Sequence, residues 1–342
     1  MLYSQAIKRM IESPWSPGND FLPERRSPEE SGNSAAPYRS RSCLETFDRL
    51  QSVQASEGQR PITRWSNLYE FSVPIQNLHP SLEHTTILHL SDVHFLKGDP
   101  RPIVELQQLA RWMRYHDLYP DVTAFTGDVI TRLPEDLCPA AHRALADIAA
   151  MSKHALFVHG NHDYHGRVPE FISSQIENAG FTNITNKAID LHFGAGKLNV
   201  YGIDDAYFGS PKAPRRMESD ETNIALVHNL DAIRANFPTD TDLILSGHTH
   251  WGELRLPAAE RIPLLDGMWW MEKWGYCNNL NGHTRHWDAL TERTLSFVHP
   301  GLARYYVPRL LAHPPGFVLH RLESATSTSN SFPQTPVLLE AA

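Results

Sequence analysis

A chain of 342 residues with 41% hydrophobic residues has enough apolar material for one large α/β domain or two modest ones. Its formal net charge of -8 argues against a general nucleic-acid or anionic-membrane binder, which carries a basic surplus for phosphates. Cys43, Cys138 and Cys277 are odd in number and widely scattered, which argues against a disulfide framework or a thiolate zinc site and points to a reducing compartment.

In chain order, residues 1–64 contain PWSPGND and LPERRSPEESGNSAAPYRSRS, rich in Pro, Ser, Gly and charge, and are expected to be a disordered segment outside the fold. No run approaches the roughly 20 apolar residues that span a bilayer, and the N-terminal stretch lacks the hydrophobic block of a secretory signal. We therefore expect a cytoplasmic protein without a transmembrane segment; peripheral membrane contact stays open.

The folded domain is expected over 65–322. NLYEFSVPIQNL reads as an edge strand and loop, and TTILHLS (85–91) as a buried strand. Apolar runs recur as DVTAFTG (121–127), ALFVHG (155–160), KLNVYGI (197–203), NIALVHN (223–229), DLILSGH (242–248), TLSFVHP (294–300) and GFVLHRL (316–322). Between the early ones, PIVELQQLARWMRYHDLY and PEDLCPAAHRALADIAAMSKH carry apolar residues at the spacing of three to four that helices require. Strands alternating with helices early and crowding later predict an α/β fold, with one mixed sheet or two packed sheets.

The segment 264–290 holds Trp269, Trp270, Trp274 and Trp287. It reads either as a lid or apolar wall for the lipid or nucleoside part of a substrate, or as a loop covering a sheet. Residues 323–342 are expected to be a disordered tail.

Residues with metal-binding chemistry fall at the strand ends. Asp92 and His94 follow TTILHLS, Asp128 follows VTAFTG, and Asn161, His162 and Asp163 follow LFVHG. His228 follows IALV, and His248 and His250 follow LILSG. Each motif has a plainer origin, since a turn also hydrogen-bonds an imidazole and Asn and Asp make Asx turns. Five such elements in this order favour one shared site, because open α/β sheets bind ligands beyond the carboxyl ends of their strands. Carboxylate, imidazole and amide oxygen without thiolate suit two divalent ions among manganese, iron, zinc, cobalt and nickel. Such a pair, about 3.5 to 4 Å apart, activates a water and clamps the oxygens of a displacement at phosphorus. The glycines before Asp128, Asn161 and His248 are expected to permit tight turns.

The set DVH, GD, GNHD, the His of VHN, and GHTH resembles the calcineurin-like metallophosphoesterase family over about residues 66–322. LHLSDVHF, FTGDVI, HNLDAI and the closing GLARYYVPRLLAHPPGFVLHRL resemble its bacterial branch of small phosphodiesterases and UDP-2,3-diacylglucosamine pyrophosphatase-like proteins. The resemblance implies two mixed β-sheets packed as a sandwich and flanked by helices, four layers in all. It also implies a first metal on Asp92, His94, Asp128 and His250. Asp128 would bridge to a second metal on Asn161, His228 and His248. His162 would stand beside the scissile phosphate as a catalytic residue that binds no metal, with Asp163 as the partner that orients it.

The activity so implied is hydrolysis of phosphodiester, pyrophosphate or phosphomonoester bonds through a metal-bridging hydroxide, on a small phosphorylated substrate that is nucleotide- or lipid-linked in some relatives. A narrower implication is a UDP-2,3-diacylglucosamine pyrophosphatase, and a different one is a scaffold that has lost catalysis. Two departures stand out. Thr131 occupies the place where many relatives carry a second Asp, and Trp251 and Glu253 depart from GHTHGGQ. Trp251 reads either as core packing or as a ring that stacks on a base or sugar.

Overall fold

The computed structural model describes residues 59–61, 67–212, 221–234, 240–250, 287–289, 294–302 and 315–325. The expectations placed on Trp251, on most of the Trp-rich segment, on residues 1–58 and on 326–342 lie outside these residues.

The chain begins with strands β1 (Gln59–Pro61), β2 (Asn67–Ile75) and β3 (Thr86–Leu90), then helix α1 (Arg101–Tyr115). Strand β4 (Val122–Phe125), helix α2 (Pro139–Ala149), strand β5 (His154–Phe157) and helix α3 (Pro169–Asn178) continue the alternation. Strands β6 (Thr182–Asn183), β7 (Ala188–Phe193), β8 (Gly196–Ile203) and β9 (Thr222–Val227) precede the short helix α4 (Asp231–Arg234). The last strands are β10 (Leu243–Ser246), β11 (Trp287–Ala289), β12 (Leu295–Val298) and β13 (Gly316–Ser324).

Two mixed sheets result, with strand orders β1-β2-β13-β3-β4-β5-β6 and β11-β12-β10-β9-β8-β7. Within the first, β3 to β6 are parallel; within the second, β8, β9, β10 and β12 are parallel. Alternation along each strand decides which layer a residue joins. Ile87, Val122, Ala124 and Leu156 of the first sheet meet Leu198, Val200, Leu226, Leu245 and Phe297 of the second in the sandwich interior. Leu88, Leu90, Phe125 and Phe157 face the other way, against the helices. Helix α1 meets them with Leu106, Leu109, Ala110 and Met113, and α2 with Ala141, Ala144, Leu145 and Ile148, each an i, i+3, i+4, i+7 stripe. The outer face of the second sheet packs on Ala232 and Ile233 of α4. Each such buried Leu, Ile or Phe contributes roughly 2 kcal/mol of transfer free energy.

Three features differ from the sequence reading. The sheet starts at Gln59, ahead of the expected boundary, because β1 joins through main-chain pairing with Asn67–Tyr69 and needs no apolar pattern. Strand β2 is not an edge strand, since β13 pairs along its whole length in parallel. Pro74 is nonetheless tolerated: β1 reaches only as far as Tyr69, so that part of β2 has a side where no donor is needed. Strand β13 runs to Ser324, two residues into the stretch expected as a tail. Among the described residues, no helix is long and apolar enough to cross a membrane.

Candidate metal centre

Strands β3, β4, β5, β9 and β10 each carry site residues just past their carboxyl ends, and these residues meet in one cluster. Ligand-type atoms of Asp92, His94 and His250 lie within 4.8 Å of one another, as do those of His94, Asp128 and His162, and those of Asp128, His228 and His248. Asp128 is central: its Oδ2 lies 3.4 Å from His94 Nε2 and 3.2 Å from His228 Nε2, and its Oδ1 accepts the backbone N–H of His162 at 2.8 Å. Asp92 Oδ1 lies 2.8 Å from His250 Nε2, while its carboxylate accepts the backbone N–H of His248.

Asn161 completes the second group. Its Oδ1 lies 3.0 Å from both His228 Nε2 and His248 Nδ1. His228 donates Nδ1–H to the carbonyl of Thr126 at 2.7 Å, which aims Nε2 at Asn161 Oδ1 and Asp128 Oδ2. Facing acceptors of this kind call for a cation, and the all-oxygen-and-nitrogen donor set fits borderline divalent ions.

The electrostatics agree. Burial alone would raise the pKa of Asp92 and of Asp128, yet the neighbouring imidazoles hold both carboxyls well below the usual range. Burial alone would lower the pKa of His228, but Asp128 and Asp92 lift it to about 10, the mark of a pocket with surplus negative charge. His248, buried and beside His228, is pushed down to about 3, so its ring stays neutral with a lone pair on one nitrogen.

Asp92, His94, Asp128, His248 and His250 all have positive φ, between 48° and 68°. That left-handed region costs an ordinary residue on the order of 1 kcal/mol, less for Asp and His than for bulkier types. Strain concentrated on these residues marks a site whose surroundings over-determine its backbone. The glycines follow two different rules. Gly127 has φ +90°, as a tight turn demands, whereas Gly160 and Gly247 lack positive φ and are needed for space. A Cβ on Gly160 would collide with the Asp128 carboxylate, and one on Gly247 with Ser91 and Asp92.

Asp163 is placed differently from the expectation. Its carboxylate accepts the backbone N–H groups of Asp128, Val129, Ile130 and Gly160, at 2.8 to 3.3 Å. It braces the loop that carries Asp128 and does not orient His162. Burial and the nearby Asp128 lift its pKa to about 7, against the pull of the backbone donors.

The partner of His162 is Thr131, whose carbonyl accepts Nδ1–H at 2.6 Å and also the Nδ1–H of His165 at 3.1 Å. The Thr131 hydroxyl donates to the carbonyl of His94 at 2.8 Å. Sequence reasoning missed this because a main-chain carbonyl has no residue signature. It also missed the loop after β8, DDAYFG, which the strand-end rule would have flagged. There Asp205 Oδ2 accepts the N–H groups of Tyr207 and Phe208 at 2.8 and 2.7 Å, and Asp204 Oδ2 accepts that of Ser210 at 2.8 Å.

Comparison with known proteins agrees with this geometry. A profile described as calcineurin-like phosphoesterase matches residues 85–252. A Caenorhabditis elegans protein named as a metallophosphoesterase is 31% identical over 54% of this chain and 40% of its own length. The Bacillus subtilis protein YkuE, also named as a metallophosphoesterase, is 30% identical over 49% of this chain and 57% of its own. The Escherichia coli phosphodiesterase YaeI is 26% identical over 50% of this chain and 62% of its own. The chain thus spans about half the length of the curated relatives it matches. The matched stretch runs from β3 to just past His250 and contains every candidate ligand of the cluster, so residues 85–252 of this chain are similar to the calcineurin-like phosphoesterase family.

Proposed function

We propose that the protein is a metal-dependent hydrolase of phosphate esters, with phosphodiesters, pyrophosphates and phosphomonoesters as the candidate substrates. The observation that carries this reading is the placement of Asp128 between His94 and His228, with a further pair of candidate ligands on each side. In this assignment Asp92, His94, Asp128 and His250 would hold one divalent ion, and Asp128, Asn161, His228 and His248 would hold the other. Bound there, the two ions would supply an activated water and offset the charge of the phosphoryl oxygens.

The remaining chemistry belongs to the chain. His162, fixed through Nδ1–H on Thr131, turns its other nitrogen toward the cluster, where it hydrogen-bonds a phosphoryl oxygen or gives a proton to the departing oxygen. Asp163 and Thr131 keep Asp128 and His162 in register without touching substrate. The name of the Escherichia coli relative supports a diester substrate.

The test is hydrolysis of bis(4-nitrophenyl) phosphate by metal-stripped protein, with and without added manganese, beside His250→Ala. Manganese-dependent turnover lost in the variant supports the reading. A folded protein that binds two manganese ions and hydrolyses neither this diester, a pyrophosphate nor a phosphomonoester overturns it.

A further inference from the structure

We infer that the site receives a flat aromatic substituent of its substrate on a wall of rings ending at Phe208. The wall starts at the candidate ligands. The His94 ring meets that of His162 at 4.6 Å and 87°, His162 meets His165 at 4.4 Å, and His165 meets Phe208 edge-on at 6.0 Å and 81°. On the other flank Tyr207 lies 5.6 Å from the ring of His248. Two consecutive aromatics therefore flank the cluster, Tyr207 directly against the candidate ligand His248 and Phe208 at the end of the ring series that runs out from His94 through His162 and His165.

Exposure and rigidity separate this from incidental surface. Phe208 is 52% exposed and Tyr207 38%, although Tyr207 is within ring contact of His248 and Phe208 within ring contact of His165, the neighbour of His162. The loop that presents them is tightly held. Asp205, wholly buried, accepts both of their backbone N–H groups, and Asp204 holds Ser210 N–H while taking the hydroxyl of Tyr164. Gly209 sits so close to the Asp204 carboxylate that a Cβ there would collide with it. Two aspartates used to fix an exposed phenylalanine at the end of a ring series leading from the candidate ligands amount to preorganisation, and a ring held in advance loses little freedom on binding. Ring faces and edges favour a flat aromatic partner over an aliphatic one of equal size.

The inference rests on the phosphoester reading only for the group that occupies the metal cluster. The test is calorimetric titration of the manganese-loaded protein with phenylphosphonate and cyclohexylphosphonate, matched in size and differing in flatness. Phenylphosphonate is expected to bind roughly three- to tenfold tighter. Phe208→Ala should bring the ratio close to one, and Phe208→Trp should keep it. Equal affinities in the wild-type protein, or a ratio that survives Phe208→Ala, overturn the inference.

A second pair, adenosine 5′-monophosphate and ribose 5-phosphate, identifies the source of the ring. A preference for the nucleotide that Phe208→Ala abolishes places a nucleobase on the wall; a phenyl preference without it assigns the wall to simple aryl esters. Absence of hydrolysis with the binding preference intact counts against the activity and leaves the subsite standing.

Discussion

Thr131 holds His162 by its backbone and His94 by its side chain: its carbonyl takes the His162 Nδ1–H at 2.6 Å, and its hydroxyl reaches the carbonyl of His94 at 2.8 Å. Where a carboxylate would orient His162 through a charge, this chain uses a neutral main-chain oxygen. Thr131→Val removes only the hydroxyl bond. It should cost about 1 kcal/mol of stability in urea unfolding and less than about tenfold in turnover. His162→Ala should lower turnover by about 10²- to 10⁴-fold with manganese binding retained. An equal loss of rate in both variants would overturn the view that the carbonyl alone is enough to orient His162.

Asp128→Asn keeps the shape of the central residue and removes its charge. We expect the manganese stoichiometry in calorimetry to fall from two to one or fewer, and turnover to fall by more than about a hundredfold. The circular dichroism of the variant should match that of the wild type, because Asp163 still accepts the backbone donors of this loop. Full stoichiometry in the variant would overturn the bridging role proposed for Asp128.

Gly160→Ala places a methyl group against the Asp128 carboxylate. Overpacking of this kind costs about 1 to 3 kcal/mol, and here the group displaced is itself a candidate ligand. Urea unfolding should show the loss, with manganese affinity reduced alongside it. Wild-type stability and affinity would mean that the two loops part at little cost.

Acid should weaken the fold through the sandwich interior. His89 and His320 are buried there, with the rings of His299 and Phe297 close by. Burial, together with the neighbouring imidazoles, pushes the His89 pKa well below its ordinary value and that of His320 to about 3. Above the unfolded pKa of about 6.5, neither state binds a proton at these residues, and their stability contribution is fully present. Below it the unfolded chain takes up protons that the folded one refuses, so stability falls with pH. At pH 5.5 each such histidine should account for about 1.4 kcal/mol of the loss. His320→Phe should flatten the pH dependence between 7 and 5.5 by about that amount in urea titrations. A dependence as steep as that of the wild type would sink the assignment.

The parts of this molecule that could be read in the sequence are those where side-chain pattern and burial coincide. Strands β4, β5, β9 and β10 are short apolar runs buried on both faces, each ending in a site residue, and both facts are written in residue types. Strand β7 was missed because only Leu191 of its six residues is buried, so it has no pattern to find. The pairing of β13 with β2 and β3 is a matter of register, which apolar runs do not encode. At the site, ligand types are legible while main-chain partners are not: the resemblance implies that Asp163 orients His162, yet its four bonds all go to backbone N–H groups.

Strand β13 lies between β2 and β3, so the sheet that carries Asp92 and His94 is closed by residues about 230 positions further along the chain. During synthesis, a chain made through His250 already contains every candidate ligand, while β3 still has an open side and its main-chain groups lack their partners. Pairing across such a sequence distance is slow to form, because the loop it closes must first lose its freedom. Assembly of the centre therefore waits on its most remote strand, and the nascent protein passes through a stage at which it is rich in metal-binding side chains before it has a pocket to organise them.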